Sequence, residues 1–293
     1  MFDDDQFPPT VAPFHLTFLS TGYCTALERL AIRDGGWRHI RFHATCALIR
    51  HPSLGAILFD TGYAPRFFDA ATRYPYQLYA QVTPVITRPE WSVAAQLPRL
   101  GLQASDINYI ILSHFHADHV AGLLDFPQAR IICSRAGLTY ALAQQGLAAV
   151  RKGLLPALFP SDLAQRVDYI EALPREPRTD ALGHHYRLLP DASICLIDLP
   201  GHARGQIGAW LQAPGQPAHL LAADAFWLSR TLNTGILPAR LTGLIIDSWS
   251  DYEATIRRLR AFHQVHPDVE ITSCHCLSTF TDKVIHQDLF VGA

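Results

Sequence analysis

Runs of four to six apolar residues, bounded by polar or turn-forming residues, recur along the whole chain, and stretches with helical spacing separate them. The runs predict strands at Phe14–Ser20, Thr45–Arg50, Ala56–Asp60, Ile107–Ser113, Arg130–Cys133, Ile194–Leu199, Gln206–Leu211, His219–Ala223 and Val269–Ser273. Several are continuous rather than alternating, the mark of strands buried on both faces. Helices are predicted at Trp91–Leu100, Arg135–Gln145 and Asp251–His266. In the last, Tyr252, Ile256, Leu259 and Phe262 make one apolar stripe, and Ser250 and Glu253 have the spacing of a capping box. Arg257, Arg258 and Arg260 fall mostly off that stripe and read as a solvated face. Strands and helices alternate without repeat, low-complexity tract or linker, which predicts a single layered α/β domain over 1–293. Two segments depart from the alternation. Pro65–Trp91 is dense in aromatics (Phe67, Phe68, Tyr74, Tyr76, Tyr79, Trp91) and Gly146–Asp180 is rich in Leu, Pro and Arg; insertions of this kind are expected as lids or interfaces, a homodimer contact among them.

Composition narrows the function. With 293 residues, 49% of them apolar, the chain has material for a large core, so disorder, collagen and coiled coil are excluded. Twenty-four Lys and Arg against 26 Asp and Glu give a net charge of −2, which argues against a nucleic-acid or anionic-membrane partner, since both require a cationic field. No apolar run approaches the roughly 18 residues of a spanning helix. The start, Met1-Phe2-Asp3-Asp4-Asp5, is acidic where an export signal needs positive charge and an apolar stretch, so the chain reads as cytosolic. Six cysteines (Cys24, Cys46, Cys133, Cys195, Cys274, Cys276) sit mostly in apolar runs and read as buried reduced thiols. Fifteen histidines are an excess, and imidazole is the commonest metal ligand.

The sharpest signal is Ser113-His114-Phe115-His116-Ala117-Asp118-His119, where the apolar strand Ile107–Leu112 runs out. Residues two apart on an extended chain share a side, so His114 and His116 converge on one ion, and Asp118 and His119 face a second as the chain turns. At this composition His-x-His-x-Asp-His arises by coincidence with a probability of roughly 0.003. Three further candidates also follow apolar strands: His202 in Leu199-Pro200-Gly201-His202, Asp224 in Ala222-Ala223-Asp224, and His275 in Ser273-Cys274-His275-Cys276. Sites in layered sheet proteins gather at strand ends, where loops bring distant residues together on a rigid base.

With these residues in this order, the chain resembles the metallo-β-lactamase superfamily over roughly Phe14–Thr279. The resemblance implies a four-layer αββα sandwich of the α/β (α+β) class and two divalent metal ions. His114, His116 and His202 would hold one ion, Asp118, His119 and His275 the other, and Asp224 would bridge them. Asp60-Thr61-Gly62 matches a second turn of the family, which makes Asp60 a candidate for orienting a ligand histidine through its free ring nitrogen. Imidazole and carboxylate donors suit Zn²⁺, and on ligand type Fe, Mn and Co stay open. The reaction implied is hydrolysis by a hydroxide bridging the two ions, with Asp118 and Asp224 the catalytic carboxylates and Asp118 carrying a proton.

Within the superfamily the chain looks most like the quorum-quenching N-acyl-homoserine lactonase branch. The run reaching Gly122, the 22-residue step from His202 to Asp224 and the aromatic insertion after Asp60-Thr61-Gly62 carry that likeness. The expected partner is a small molecule with an apolar acyl part, walled by Phe67, Phe68, Tyr74, Tyr76 and Tyr79. One position departs. Those lactonases usually place a tyrosine three residues after the bridging Asp, and here Trp227 stands there, able to donate a hydrogen bond but not accept one. The alternatives are an acyl-thioester hydrolase, for which only the Arg29, Arg33, Arg38, His39, Arg41 and His43 cluster offers a cationic groove, and an iron-dependent sulfur dioxygenase on the same scaffold.

Overall fold

Successive side chains on a strand point to opposite faces, so a run such as Ile57-Leu58 or Ile110-Ile111 feeds two cores at once. The computed structural model describes residues 13–176 and 180–290 and shows this division throughout. The acidic start at residues 1–5, on which the cytosolic expectation rests, lies outside the described residues.

One sheet contains β1 (His15–Leu27), β2 (His39–His51), β3 (Gly55–Phe59), β4 (Val85–Ile86), β5 (Ile107–Ile111), β6 (Arg130–Cys133) and β7 (Val167–Tyr169), in the spatial order β4-β1-β2-β3-β5-β6-β7. The other contains β8 (Arg175–Glu176), β9 (His185–Arg187), β10 (Ile194–Asp198), β11 (Ile207–Leu211), β12 (His219–Ala223) and β13 (Glu270–Ser273), in the order β13-β12-β11-β10-β9-β8. Helices α1 (Glu28–Ala31), α2 (Arg66–Ala70), α3 (Gln77–Val82), α4 (Val93–Gln96), α5 (Ala117–Val120), α6 (Arg135–Ala143) and α7 (Gly146–Arg151) precede the second sheet in the chain. The second half adds α8 (Ser229–Thr234), α9 (Trp249–Val265) and α10 (Leu277–Lys283).

Leu48, Leu58, Ile110 and Ile131 leave the first sheet outward and pack on Phe67 of α2, Tyr79 of α3, Val93 of α4 and Leu138 of α6. Their strand neighbours Ile49, Ile57, Ile111 and Ile132 point inward, onto Leu196, Ile207, Ala209 and Leu221 of the second sheet. Beyond that sheet, Ile197, Trp210 and Leu220 meet Leu232 of α8 and Leu259 and Phe262 of α9. The layers run helix, sheet, sheet, helix, the expected αββα sandwich. Each fully buried Leu or Ile contributes about 1.5–3 kcal/mol, so the shared inner core is what holds the two sheets face to face.

Several local expectations are corrected. The stretch Trp91–Leu100 is not one helix: 3-10 turns at Pro89–Trp91 and Leu97–Leu100 flank the four residues of α4. Ser92 caps α4 by accepting from Ala95 N–H, and Pro98, without an N–H, cannot extend an α-helical ladder. Helix α9 begins two residues earlier than the Ser250/Glu253 box implies. Ser248 is its cap, accepting from Asp251 N–H at 3.4 Å, and Glu253 instead accepts from the Trp249 indole at 2.8 Å. Arg258 and Arg260 are not a solvated face: half-buried, they donate to the carbonyls of Ala181 and Leu182 and of Leu232, which leaves Arg257 exposed. Loop and helix-end carbonyls that lack a backbone partner need such donors.

The Arg29–His43 cluster, on which the acyl-thioester alternative depends, is divided among local partners. Arg38 pairs with Glu28 at 2.8 Å, Arg29 lies over the Trp37 ring, Arg41 over Tyr23, and His43 is buried against Phe280. Residues 65–91 and 146–176 contribute to the helical layer and the sheet edge, with Phe67, Tyr79, Trp91, Leu154, Leu155 and Leu158 all buried. All six cysteines are free and buried. No helix of the described residues is long and apolar enough to cross a membrane.

Candidate metal centre

Strands β3 and β5 are parallel, and β10, β12 and β13 share one direction because β11 is antiparallel to both β10 and β12. Their C-terminal ends therefore release the candidate residues along one edge of the sandwich: Asp60 after β3, Ser113–His119 after β5, His202 after β10, Asp224 after β12 and His275 after β13. An Ile207 N–H to Ser113 carbonyl hydrogen bond of 3.0 Å ties the two sheets at this edge. Two non-glycine residues here hold left-handed backbone, Asp60 (φ 62°) and Ala223 (φ 47°). At Ala223 the β12–β13 register slips, which re-aims Asp224 as a bulge does. Gly201 also has to be glycine. Its φ is 127°, and a Cβ there would lie 2.2 Å from Tyr252 N, because the Gly201-His202 backbone is laid against the start of α9.

Two groups of buried donors result. His114, His116, His202 and Asp224 present ligand atoms all within 4.8 Å of one another, and so do His119, Asp224, Cys274 and His275. Asp224 belongs to both: its Oδ2 is 3.1 Å from His202 Nε2 and 2.9 Å from His275 Nε2, and its Oδ1 is 3.5 Å from His119 Nε2. Asp118 Oδ2 stands 3.4 Å from His275 Nε2 and 3.6 Å from His119 Nε2. His116 Nδ1 and His202 Nε2 are 3.0 Å apart.

The outward nitrogens are anchored. His119 Nδ1–H donates to Asp60 Oδ2 at 2.8 Å, His275 Nδ1–H donates to the His43 carbonyl at 2.8 Å, and His114 Nδ1 is 3.0 Å from Ser113 Oγ. These bonds place a proton on Nδ1 of His119 and His275 and turn Nε2 toward the cluster, where a metal ion would take the place of its proton. His114 Nε2 and His119 Nε2 are buried without a hydrogen-bond partner in the protein. Converging, unpartnered imidazole nitrogens beside two carboxylates fit a divalent cation of the zinc type.

Charge follows the same division. Burial, reinforced by the neighbouring histidines, pushes His114 and His116 well below the ordinary imidazole range, so both are neutral and ready to ligate. Burial acts the same way on His119, yet Asp60, Asp118 and Asp224 outweigh it and hold that ring well above its ordinary value. At His275 burial is likewise overcome, chiefly by Asp224. Asp224 is held well below the usual carboxylate range, where His275, His119 and His202 prevail over burial. Protons and a metal cation thus compete for His119 and His275.

Asp60 accepts from Ser113 N–H, Ser113 Oγ–H and His119 at 2.7–2.8 Å, so the Asp-Thr-Gly turn carries the His-x-His-x-Asp-His loop directly. Trp227 is buried, its ring centre 5.8 Å from that of His202 and 5.9 Å from that of Phe42, both in edge-to-face contact. Phe67 is corrected from a substrate wall to a core residue: it is fully buried, ringed by Tyr63, Phe68 and Tyr79. Phe68, 43% exposed, leans its edge on Phe67, and Tyr74 is exposed. Two participants escaped the sequence reading. Gly153, in the 146–180 segment, presses so closely that a Cβ would sit 3.0 Å from the His116 ring, a contact no motif announces. Cys274 places its sulfur 2.5 Å from Asp224 Oδ1; its signal was its position beside His275, obscured because all six cysteines read alike.

Comparison with known proteins adds an independent line. The family model described as the metallo-beta-lactamase superfamily matches residues 40–185. N-acyl homoserine lactonase AiiB of Agrobacterium fabrum is 29% identical over 210 residues, 70% of this chain and 70% of that protein. N-acyl homoserine lactonase AttM of the same organism is 25% identical over 226 residues, 77% of this chain and 79% of the relative. A solved N-acyl homoserine lactone hydrolase, with the product N-hexanoyl-L-homoserine bound at its catalytic metal centre, superposes with a TM-score of 0.71 at 20% identity, covering 94% of this chain and 98% of that one.

Proposed function

Because the chain belongs to the metallo-β-lactamase superfamily and is a metal-dependent hydrolase, we propose that it is a dinuclear enzyme that opens a lactone or cleaves an ester. The observation that carries this reading is the pair of buried donor groups sharing the Asp224 carboxylate. His114, His116 and His202 would hold one ion, Asp118, His119 and His275 the other, and Asp224 lies within reach of both groups. When bound, such a pair supplies Lewis acidity toward a carbonyl oxygen and lowers the pKa of water toward about 7.

The protein's own residues do the rest. Asp60 and the His43 carbonyl fix the tautomers of His119 and His275, so that the ligating nitrogens need no reorganisation. Asp118 is the more accessible of the two carboxylates, 11% exposed at its side chain against 2% for Asp224. That position suits it to take the proton lost by the attacking water and return it to the leaving alkoxide. Substrates are small cyclic or open esters with an apolar acyl part, the class to which the lactonase relatives point. Trp227 beside His202 offers an indole N–H in place of the tyrosine hydroxyl, so preference among lactones differs from that of enzymes carrying tyrosine.

Elemental analysis of the purified protein, followed by pH-indicator assays on lactones, aryl esters and acyl thioesters, tests the reading. About two Zn per chain with acid release from a lactone supports it. One iron and no ester hydrolysis overturns it in favour of oxygen chemistry on a thiol, and thioester turnover alone moves it to the acyl-thioester class. His116→Ala and Asp224→Ala should abolish hydrolysis with the fold retained. Trp227→Tyr should raise homoserine-lactone opening, and an unchanged rate removes the tyrosine comparison from the argument.

A further inference from the structure

The ordered His and Asp pattern describes the second ion without sulfur, yet the structure brings a thiol into that group. We propose that Cys274 Sγ joins Asp118, His119, Asp224 and His275 as a ligand of the second ion, which makes this half of the centre a nitrogen, oxygen and sulfur site. The inference rests on the two-ion reading above and deepens it by specifying the metal. Sγ lies within 4.8 Å of the ligand atoms of His119, Asp224 and His275, and its thiol donates to Asp224 Oδ1, a bond that metal entry would replace. Cys274 is 6% exposed, as closed to solvent as His275 at 5%.

The placement follows from the strand ends. Ala223 pairs with Ser273 across the parallel β12–β13 ladder after the register slip, and Cys274 N–H donates to the Ala223 carbonyl at 3.3 Å. Asp224 and Cys274 are thus the first residues beyond two adjacent strands, held side by side. The chain turns into α10 at Cys276, so Cys274 and His275 need not point to opposite faces as they would within a strand. Cys276 serves as an internal contrast. Its sulfur accepts from Ser229 N–H at 3.3 Å and lies 3.1 Å from the hydroxyls of both Ser229 and Ser278, so it is engaged elsewhere.

Ligation turns the Cys274 thiol into a thiolate, and its proton leaves with metal entry. No oxidant or reductant takes part. Sulfur is a soft donor, so a thiolate strengthens the second site's preference for Zn²⁺ or Co²⁺ over Mn²⁺ or Mg²⁺.

The test uses the full chain loaded with Co²⁺ and, separately, with Zn²⁺. Two cobalt ions per chain should give a near-ultraviolet thiolate-to-cobalt band that Cys274→Ser removes and Cys276→Ser keeps. X-ray absorption of the zinc form should show sulfur at about 2.3 Å in addition to nitrogen and oxygen at about 2.0–2.1 Å. Cys274→Ser should weaken the second zinc by more than about tenfold, the loss that even an outer contact produces. Two ions per chain with neither the band nor a sulfur shell overturns this inference and leaves the two-ion reading standing. Fewer than two ions per wild-type chain overturns both. The wild-type spectra decide the matter even if the serine variant fails to fold.

Discussion

Replacing Asp60 with asparagine preserves side-chain volume and changes what one atom offers. In the native protein Oδ1 accepts from Ser113 N–H at 2.8 Å, while Oδ2 accepts from Ser113 Oγ–H at 2.7 Å and from His119 Nδ1–H at 2.8 Å. An amide that keeps its oxygen on Ser113 N–H turns an NH₂ toward Oγ and Nδ1. Serine can rotate its hydroxyl to accept. Imidazole can accept at Nδ1 only by moving its proton to Nε2, the nitrogen that faces Asp118 and Asp224 and must be bare to bind a metal. The hydrogen bond at stake is charge-assisted and buried, worth about 1.5–3 kcal/mol. Losing an outer contact of this kind lowers metal affinity by about 10–100-fold, which converts to about 1.4–2.7 kcal/mol. The two figures agree, so Asp60→Asn should weaken the second zinc by one to two orders of magnitude and spare the first. Competition titration against a zinc chelator measures this, with Ser113→Ala as the comparison because it leaves the Asp60–His119 bond intact. A folded Asp60→Asn protein that holds its second zinc within about twofold of wild type would falsify the tautomer argument.

Phe67→Ala should cost about 3–5 kcal/mol in urea unfolding, since it empties a fully buried ring site, while the activity of the folded, metal-loaded fraction stays at wild-type level; a raised KM with unchanged stability would return Phe67 to the substrate wall. Burial, with Arg41 and His275 adding to it, pushes His43 from 6.5 down to about 4. The unfolded chain therefore takes up a proton that the folded chain refuses, and stability is lost as pH falls from about 6.5 to about 4, by up to ~3 kcal/mol from this residue. His43→Phe keeps the face-to-face packing on Phe280 and the carbonyl that holds His275, so its stability should fall less steeply over that window. Identical pH profiles for the two proteins would reject the assignment.

Strands buried on both faces were legible because continuous apolar runs such as Ile194–Ile197 have few other uses in a chain of this polarity. The two- and three-residue strands β4 and β7–β9 were not, since pairings that short have no period to detect. Helix α9 was legible as a stripe but not at its start. Ser248 and Ser250 are equivalent in sequence, and Ser248 caps the helix because its N–H is already tied to the Gly201 carbonyl at 2.9 Å, which fixes where the first turn begins. Phe67 misled for a related reason: aromatic density after a strand describes a core as well as it describes a pocket, and only layer packing separates them.

For the metal centre the division is sharper. The sequence by itself determined which donors exist and that each follows an apolar strand, because hydrophobic periodicity and the His-x-His-x-Asp-His spacing are local properties of the chain. Only the tertiary structure decided that one carboxylate, Asp224, stands within reach of both groups, that Nε2 rather than Nδ1 of His119 faces inward, and that Cys274 joins the second group while Cys276 does not. Those choices depend on a bulge at Ala223, a buried Asp60 and the meeting of strands whose ends lie up to about 200 residues apart in the chain. Contacts across such separations are set by how two sheets pack, and packing leaves no period in the sequence.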